Sequence, residues 1–167
     1  MKRKKKTVQN SLSLQEIQAA QLAAFQPLLS AKEFADLQDE AEKPLPPAIR
    51  VNPLKTGAGF AESLTKRYDW SLEPVPFCEA GFRVQVGEGI AVSAALEHKT
   101  GQYYIQEAAS MLPVGLFDME PDEDDLALDL AASPGGKTTH MISRMRDKGL
   151  VLANDSSQGR IQALKVV

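Results

Sequence analysis

Apolar residues in this chain recur with two different periods, and the change of period divides it. Before Pro44 the spacing is helical but incomplete: Leu14, Ile17, Gln21 and Phe25 form only a partial apolar stripe, and Leu22, Leu28, Leu29, Phe34 and Leu37 supply further apolar faces. Two segments of the form S-x-x-E, residues 13–16 and 30–33, precede these runs. In that form the serine side chain accepts from the third helical N–H, and the glutamate reaches back to the serine N–H. They predict helices over about 14–25 and 31–42. Pro44, Pro46 and Pro47 stop the second, because proline lacks the N–H and clashes with the preceding turn.

The period then becomes two. Ile49 and Val51 alternate with Arg50 and Asn52, which predicts a strand over 48–54, and Pro53 suits a sheet edge or a strand end. Phe60, Leu64 and Tyr68 share one face of an expected helix over 58–68. "WSLEPVPF" and "GFRVQVG" read as strands around a turn, completing a β-α-β-β subdomain. In "TGQYYIQEAASMLPVGLF", Ile105, Ala108, Ala109, Leu112 and Leu116 fit a helix, with Pro113 as a kink or break. Residues 126–130 then suit a buried parallel strand interrupted only by Asp129. A glycine turn, a helix carrying Met141, Ile142 and Met145, and a second buried strand "LVLA" complete a βαβ unit.

Composition narrows the class. The chain has 167 residues, 43% hydrophobic and 25% charged, enough for one domain or a small domain plus part of another. No run approaches the ~18 apolar residues of a membrane helix, and no apolar core follows the basic start as a secretory signal requires. One Cys and two His make a disulfide framework or a metal site unexpected and fit a reducing, cytoplasmic setting. The formal net charge of -3 is not that of a basic nucleic-acid binder, but the charge is uneven. "MKRKKK" opens a basic tail over 1–10, and "MEPDEDD" is an acidic loop before the βαβ unit. The tail reads as solvated and disordered, or as an arm on RNA phosphates with salt-dependent binding, or as a nuclear localisation signal.

The turn "LALDLAASPGGKTTH" carries the candidate chemistry. A phosphate loop needs G-x-x-x-x-G-K-[ST], and Gly136, Lys137 and Thr138 supply its end, but Ala131 stands where the first glycine belongs. A dinucleotide fingerprint needs G-x-G-x-x-G, and here the glycines are adjacent and the third is missing. An S-adenosylmethionine loop has no phosphate to wrap. It needs close backbone approach, which Gly135 and Gly136 permit, and a helix N-terminus to face a carboxylate. Asp155 follows the second strand, 20 residues beyond Gly135, where an acid can accept the ribose hydroxyls of NAD or S-adenosylmethionine alike. Its structural alternative is a helix N-cap, and Asp129 reads equally as a carboxylate that orders the loop.

These residues resemble a known family, the Nop/Sun-type RNA cytosine-C5 methyltransferases. "DLAASPGGKTTH" is similar to their donor-binding motif, with Ser133 where alanine is usual, and "IRVNPLK", "WSLEPVPFCEAGF" and "YYIQEAASMLPV" are similar to further family segments in the same order. The likeness is strongest to bacterial enzymes acting on small-subunit ribosomal RNA. It implies S-adenosylmethionine as cofactor, contacted by Ala131, Ala132, Ser133, Pro134, Gly135, Gly136 and Lys137, with Asp155 on the ribose. It implies RNA, in particular 16S rRNA or the small ribosomal subunit, as partner, with neither membrane nor metal. The implied fold class is α/β: an N-terminal helical plus RRM-like α+β region over 11–100, then the incomplete start of a Rossmann-like methyltransferase domain over 101–167.

The resemblance also implies something missing. In this family a cysteine thiolate adds to C6 of cytosine to activate C5, and it lies in a Thr-Cys segment, with a second Cys in a Pro-Cys segment, both downstream of the donor loop. Neither occurs before Val167, so the chain is expected to be the inactive N-terminal portion of a longer enzyme. Cys78 precedes the donor loop and reads as a small buried hydrophobe. His98 and His140 read as structural or surface residues. Two other readings stay open: a stand-alone RNA-binding module using Arg50, Lys55, Lys66, Arg67 and the basic tail, and a NAD-linked enzyme.

Overall fold

A computed structural model describes residues 14–119 and 124–165. The basic tail, Ser13 of the first S-x-x-E segment and most of the acidic loop lie outside the described residues. The chain divides into two compact units, Met1–Pro44 and Leu45–Val167. In the first, α1 (Leu14–Ala23) and α2 (Ala31–Ala41) flank one turn of 3-10 helix at Gln26–Leu28. The second capping box forms as expected: Ser30 Oγ accepts the Glu33 N–H at 3.3 Å, and Glu33 accepts the Ser30 N–H at 2.9 Å. Phe34, Leu37 and Ala41 form the half-buried stripe of α2.

The second unit begins with β1 (Ala48–Val51), α3 (Phe60–Tyr68), β2 (Trp70–Val75) and β3 (Cys78–Val86), the expected β-α-β-β order. After α4 (Leu96–Lys99), β4 (Tyr103–Ile105) joins the same sheet. The antiparallel order is β2-β3-β1-β4. Two expectations change. β1 is a central strand, so Pro53 marks its end and not a sheet edge. The helix expected from Ile105 onward begins as a strand: the aromatic and β-branched run Tyr103–Ile105 pairs with Val51, Arg50 and Ile49. Helical turns follow only at Ala108–Met111 and in α5 (Leu112–Gly115), so the first sheet reaches past residue 100.

Strand alternation gives this sheet two different faces. On one, Ile49, Leu64, Trp70, Val84, Val92, Ala95 and Tyr103 make a core, with Phe60 and Tyr68 of α3 packed against it. Glu97 sits at its margin, buried, accepting the Tyr68 hydroxyl at 2.6 Å and pairing with Arg67. On the other, Ala48, Val75, Cys78, Ala108 and Met111 form a smaller cluster. Arg50 and Tyr104, partners across β1 and β4, share that second face.

The chain then forms β5 (Leu126–Asp129), α6 (Gly136–Arg144) and β6 (Leu150–Ala153), with β5 and β6 parallel, followed by α7 (Gln158–Leu164). The βαβ unit is as expected, but its strands are not buried. Leu126 is paired with Leu150 and Leu128 with Leu152, and these leucines are 50–67% exposed. In-register parallel pairing puts all four on one face, and no described element covers it. Among the described residues, no helix is long and apolar enough to cross a membrane.

Candidate functional site

The loop between β5 and α6 is held from three sides. From its own strand, Asp129 accepts the Ala131 N–H at 3.3 Å and the Thr138 hydroxyl at 2.7 Å. This is the loop-ordering role, and it clamps the entry of the loop to the first turn of α6. From the end of β6, the Asn154 carbonyl accepts the Ala132 N–H at 2.8 Å, and Asp155 Oδ2 accepts the Ser133 N–H at 3.2 Å. Arg160 of α7 donates to the Ser133 carbonyl at 2.7 Å, while the Ser133 hydroxyl donates to the Arg160 carbonyl at 2.8 Å. Serine at 133 thus makes a bond that alanine cannot. Gly135 then turns with φ 115°, a conformation that L side chains rarely adopt, and precedes α6 directly.

The third support comes from the four-stranded sheet. The Tyr104 hydroxyl donates to the Pro134 carbonyl at 3.3 Å. Arg50 is 1% exposed and donates through Nη2 to the Gly136 carbonyl at 3.2 Å and the Thr139 hydroxyl at 2.7 Å. Its Nε donates to Gln106 Oε1 at 3.0 Å, and Nη1 reaches Ser143 Oγ at 3.4 Å. A Cβ at 136 would meet Gln106 Cδ and Tyr104 Cε1, both at 3.3 Å, so glycine lets loop and sheet approach closely without displacing either side chain.

Between loop and sheet lies an open cleft of about 240 Å³. Ala131, Ala132, Ser133, Pro134, Gly136 and Lys137 line one side, and Tyr104, Gln106, Glu107 and Ser110 contribute to the other. Gly135 and Asp155 do not line it. A larger cleft, about 290 Å³, is lined by Phe117, Met119, Leu126, Leu128, Met141 and Met145 among others. It contains none of the loop backbone, and its mostly apolar side chains offer few polar groups to orient a nucleoside.

Asp155 is buried and its carboxylate faces inward. Oδ1 accepts the Ser157 N–H at 3.0 Å, Oδ2 meets Ser133, and Arg160 lies 3.3 Å away. The Ser157 and Ser133 N–H bonds and the Arg160 charge outweigh burial and hold the carboxyl below the usual aspartate range. Ser157, not Asp155, caps α7, through a bond from the Arg160 N–H. Arg50 keeps its charge at neutral pH, although burial lowers its pKa to about 10.

Beneath the loop helix, His140 Nε2 lies 3.8 Å from Cys78 Sγ, and both side chains are buried. Burial, with the nearby charges of Arg50 and Arg144, pushes the His140 pKa down from 6.5 to about 4. The unfolded chain therefore binds a proton between these values while the folded chain does not, so stability falls as pH drops through that window. We expect a loss of up to about 3 kcal/mol between pH 7 and pH 4 from this group. Urea unfolding of the wild type and His140→Gln across this range checks it, and equal acid sensitivity in both proteins would exclude it. Cys78 is a core residue whose thiol pKa is raised by burial, the opposite of an activated nucleophile.

The four basic residues expected at an RNA surface do not share one environment. Arg50 is removed from that set: its guanidinium is enclosed between β4 and α6 and cannot meet a phosphate. The alternation that suggested a polar, solvated face for Arg50 in fact directs it against α6. Lys55, Lys66 and Arg67 are exposed. Lys55 donates to the Thr100 carbonyl at 3.2 Å and Arg67 pairs with Glu97, so both adjoin α4. Sequence reasoning did not single out Tyr104, Gln106, Thr139 or Arg160. The β-prone "YYI" was the available signal for the first of these.

Comparison with known proteins bears directly on this loop and sheet. Residues 18–108 match the model of the N-terminal domain of 16S rRNA methyltransferase RsmF, and residues 116–167 match that of 16S rRNA methyltransferase RsmB/F. The chain belongs to the RsmF family. It is 41% identical over 137 residues to ribosomal RNA small subunit methyltransferase F of Citrobacter koseri, covering 81% of this chain and 29% of that protein. The chain therefore spans under a third of the length of such RsmF relatives. A solved methyltransferase homologue from Pyrococcus horikoshii is 32% identical with a TM-score of 0.66, covering 89% of this chain and 54% of that one. NSun6 from the same organism, solved with SFG, has the same fold at 17% identity and a TM-score of 0.72, over 86% of this chain and 60% of its own. Family membership accounts for the mixed α/β architecture and for the order of the segments along it.

Proposed function

We propose that this chain forms the donor seat and part of the RNA-facing region of an S-adenosylmethionine-dependent 16S rRNA cytosine-C5 methyltransferase. The observation that carries the reading is the Ala131–Lys137 loop of an RsmF-family chain: two adjacent glycines, one at φ 115°, tied to β5, β6 and β4 and opening on a cleft. Such a loop fits S-adenosylmethionine, because its backbone is free to approach a ligand and a side chain at 136 would close on Tyr104 and Gln106. When bound, S-adenosylmethionine supplies an electrophilic methyl group.

Ala131, Ala132, Ser133, Pro134, Gly136 and Lys137 would contact the donor directly, and Gly135 would give the loop its turn. Asp155 fixes the loop through Ser133; reaching a ribose requires its carboxylate to turn outward. Lys55, Lys66 and Arg67 are the proposed RNA contacts, and the same substrate implies a cytoplasmic setting. Cys78 does not supply the thiolate for C6, because it is buried on the sheet beneath α6. The proposed domain division lies within 108–116 rather than at residue 100, which the pairing of β4 with β1 supports.

Calorimetric titration of the chain with S-adenosylmethionine and with NAD tests this. We expect binding of the first and none of the second; NAD binding alone, or no donor binding, would overturn it. Cys78→Ser should bind the donor as tightly as the wild type, and a marked loss would contradict a purely structural Cys78.

A further inference from the structure

Among the described residues Arg50 is the least exposed charged residue, at 1%. A buried charge is normally neutralised by an opposite one. The described partners of Arg50 are all neutral: Gln106, Gly136, Thr139 and Ser143. Three of these four lie on α6, within eight residues of Gly135. The Thr139 hydroxyl that accepts from Arg50 itself donates to the Gly135 carbonyl at 2.8 Å. A continuous chain of bonds thus runs from the centre of the four-stranded sheet through Thr139 to the glycine at the turn. Gln106, the fourth partner, lines the cleft and donates to the Ser110 carbonyl at 3.0 Å, which fixes the opposite wall.

We propose that Arg50 is a positioning residue for the donor loop, holding the Gly135–Gly136 turn and the Gln106 wall at a fixed separation through the first turn of α6. This rests on the donor reading of the loop given above. A planar guanidinium with donors pointing in several directions can satisfy the carbonyl, the hydroxyls and the amide at once, whereas an ammonium at the end of a flexible stem cannot. The strand that begins the first sheet thereby sets the geometry of a site on the second. Folding of the RNA-facing sheet and affinity for the donor become coupled.

Three variants of the full chain separate this from a general stabilising role. Arg50→Met removes the bonds and keeps the bulk, Arg50→Lys keeps only the charge, and Leu64→Ala weakens the far face of the same sheet without touching the loop. Amide hydrogen exchange without ligand, at a temperature where all are folded, reads the loop itself. We expect at least tenfold faster exchange over residues 132–139 in Arg50→Met and an intermediate effect in Arg50→Lys. Leu64→Ala should leave the loop unchanged relative to the rest of the chain. Unchanged loop exchange in Arg50→Met, or equal acceleration in Leu64→Ala, overturns the proposal. Calorimetry then asks whether the loop is the donor's: affinity for S-adenosylmethionine should fall at least tenfold in Arg50→Met and hold in Leu64→Ala. If exchange responds as expected but the wild type binds no donor, the donor reading fails while the positioning role stands.

Discussion

On the proposed donor reading, we expect Gly135→Val to weaken S-adenosylmethionine binding by roughly 5- to 150-fold, because a loop conformation that costs about 1–3 kcal/mol to adopt is populated correspondingly less. The cause is local. At φ 115° a β-branched side chain collides with its own backbone, and relaxation moves the peptide on either side of residue 135. That peptide carries the first carbonyls of α6 and adjoins Pro134, whose carbonyl meets Tyr104. The loop is tied at both ends, by Asp129 with Thr138 and by Asp155 with Ser133, so the strain cannot be shed into a mobile segment. Gly57→Ala is the control, since a methyl there meets nothing within 4 Å, and it should bind the donor as the wild type does. Calorimetry of both variants decides: unchanged affinity in Gly135→Val would mean that the turn is not part of the donor site.

The largest loss of stability is expected at Trp70. Its ring is 1% exposed, stacks on Tyr68 at a centroid distance of 4.8 Å and meets Tyr103 edge-on at 6.4 Å. The indole N–H donates to the Ile90 carbonyl at 3.1 Å. Trp70→Ala removes the ring from the centre of the larger core, leaves a cavity under α3 and orphans that carbonyl. Such truncations cost about 3–5 kcal/mol, against a total of about 5–15 kcal/mol for a typical domain. The variant should therefore lose a large share of its stability and melt well below the wild type, as measured by circular dichroism on heating. A shift of the melting midpoint by only a degree or two would show that Trp70 is not central to the core. Val84→Ala, in the same cluster but without the aromatic contacts, should cost less than half as much.

Much of the architecture was legible because it depends on local chemistry. The α2 capping box, the Phe60–Leu64–Tyr68 stripe, the hairpin of β2 and β3, and the β5-α6-β6 unit all follow from spacings of two, three or four residues. The errors share another cause. Arg50 looked like a solvated residue because alternation distinguishes two faces of a strand but does not say what lies against each. Ile105 looked helical because the later apolar residues fit that period; the partner that makes it the end of a strand, β1, is more than fifty residues away. The leucines of β5 and β6 looked buried because apolar parallel strands usually are, yet burial depends on neighbouring elements.

The chemistry divides the same way. The motif "AASPGGK", with Asp155 after the next strand and three further segments, was enough to point to the family, and through it to S-adenosylmethionine as the proposed donor. These depend on residue types and spacings along the chain. Tertiary structure alone decided that Asp155 faces the loop, that Ser133 and Arg160 bond reciprocally, and that Arg50 joins the first sheet to α6. Those contacts join residues brought together by packing, and local sequence patterns carry no record of which distant surfaces will meet.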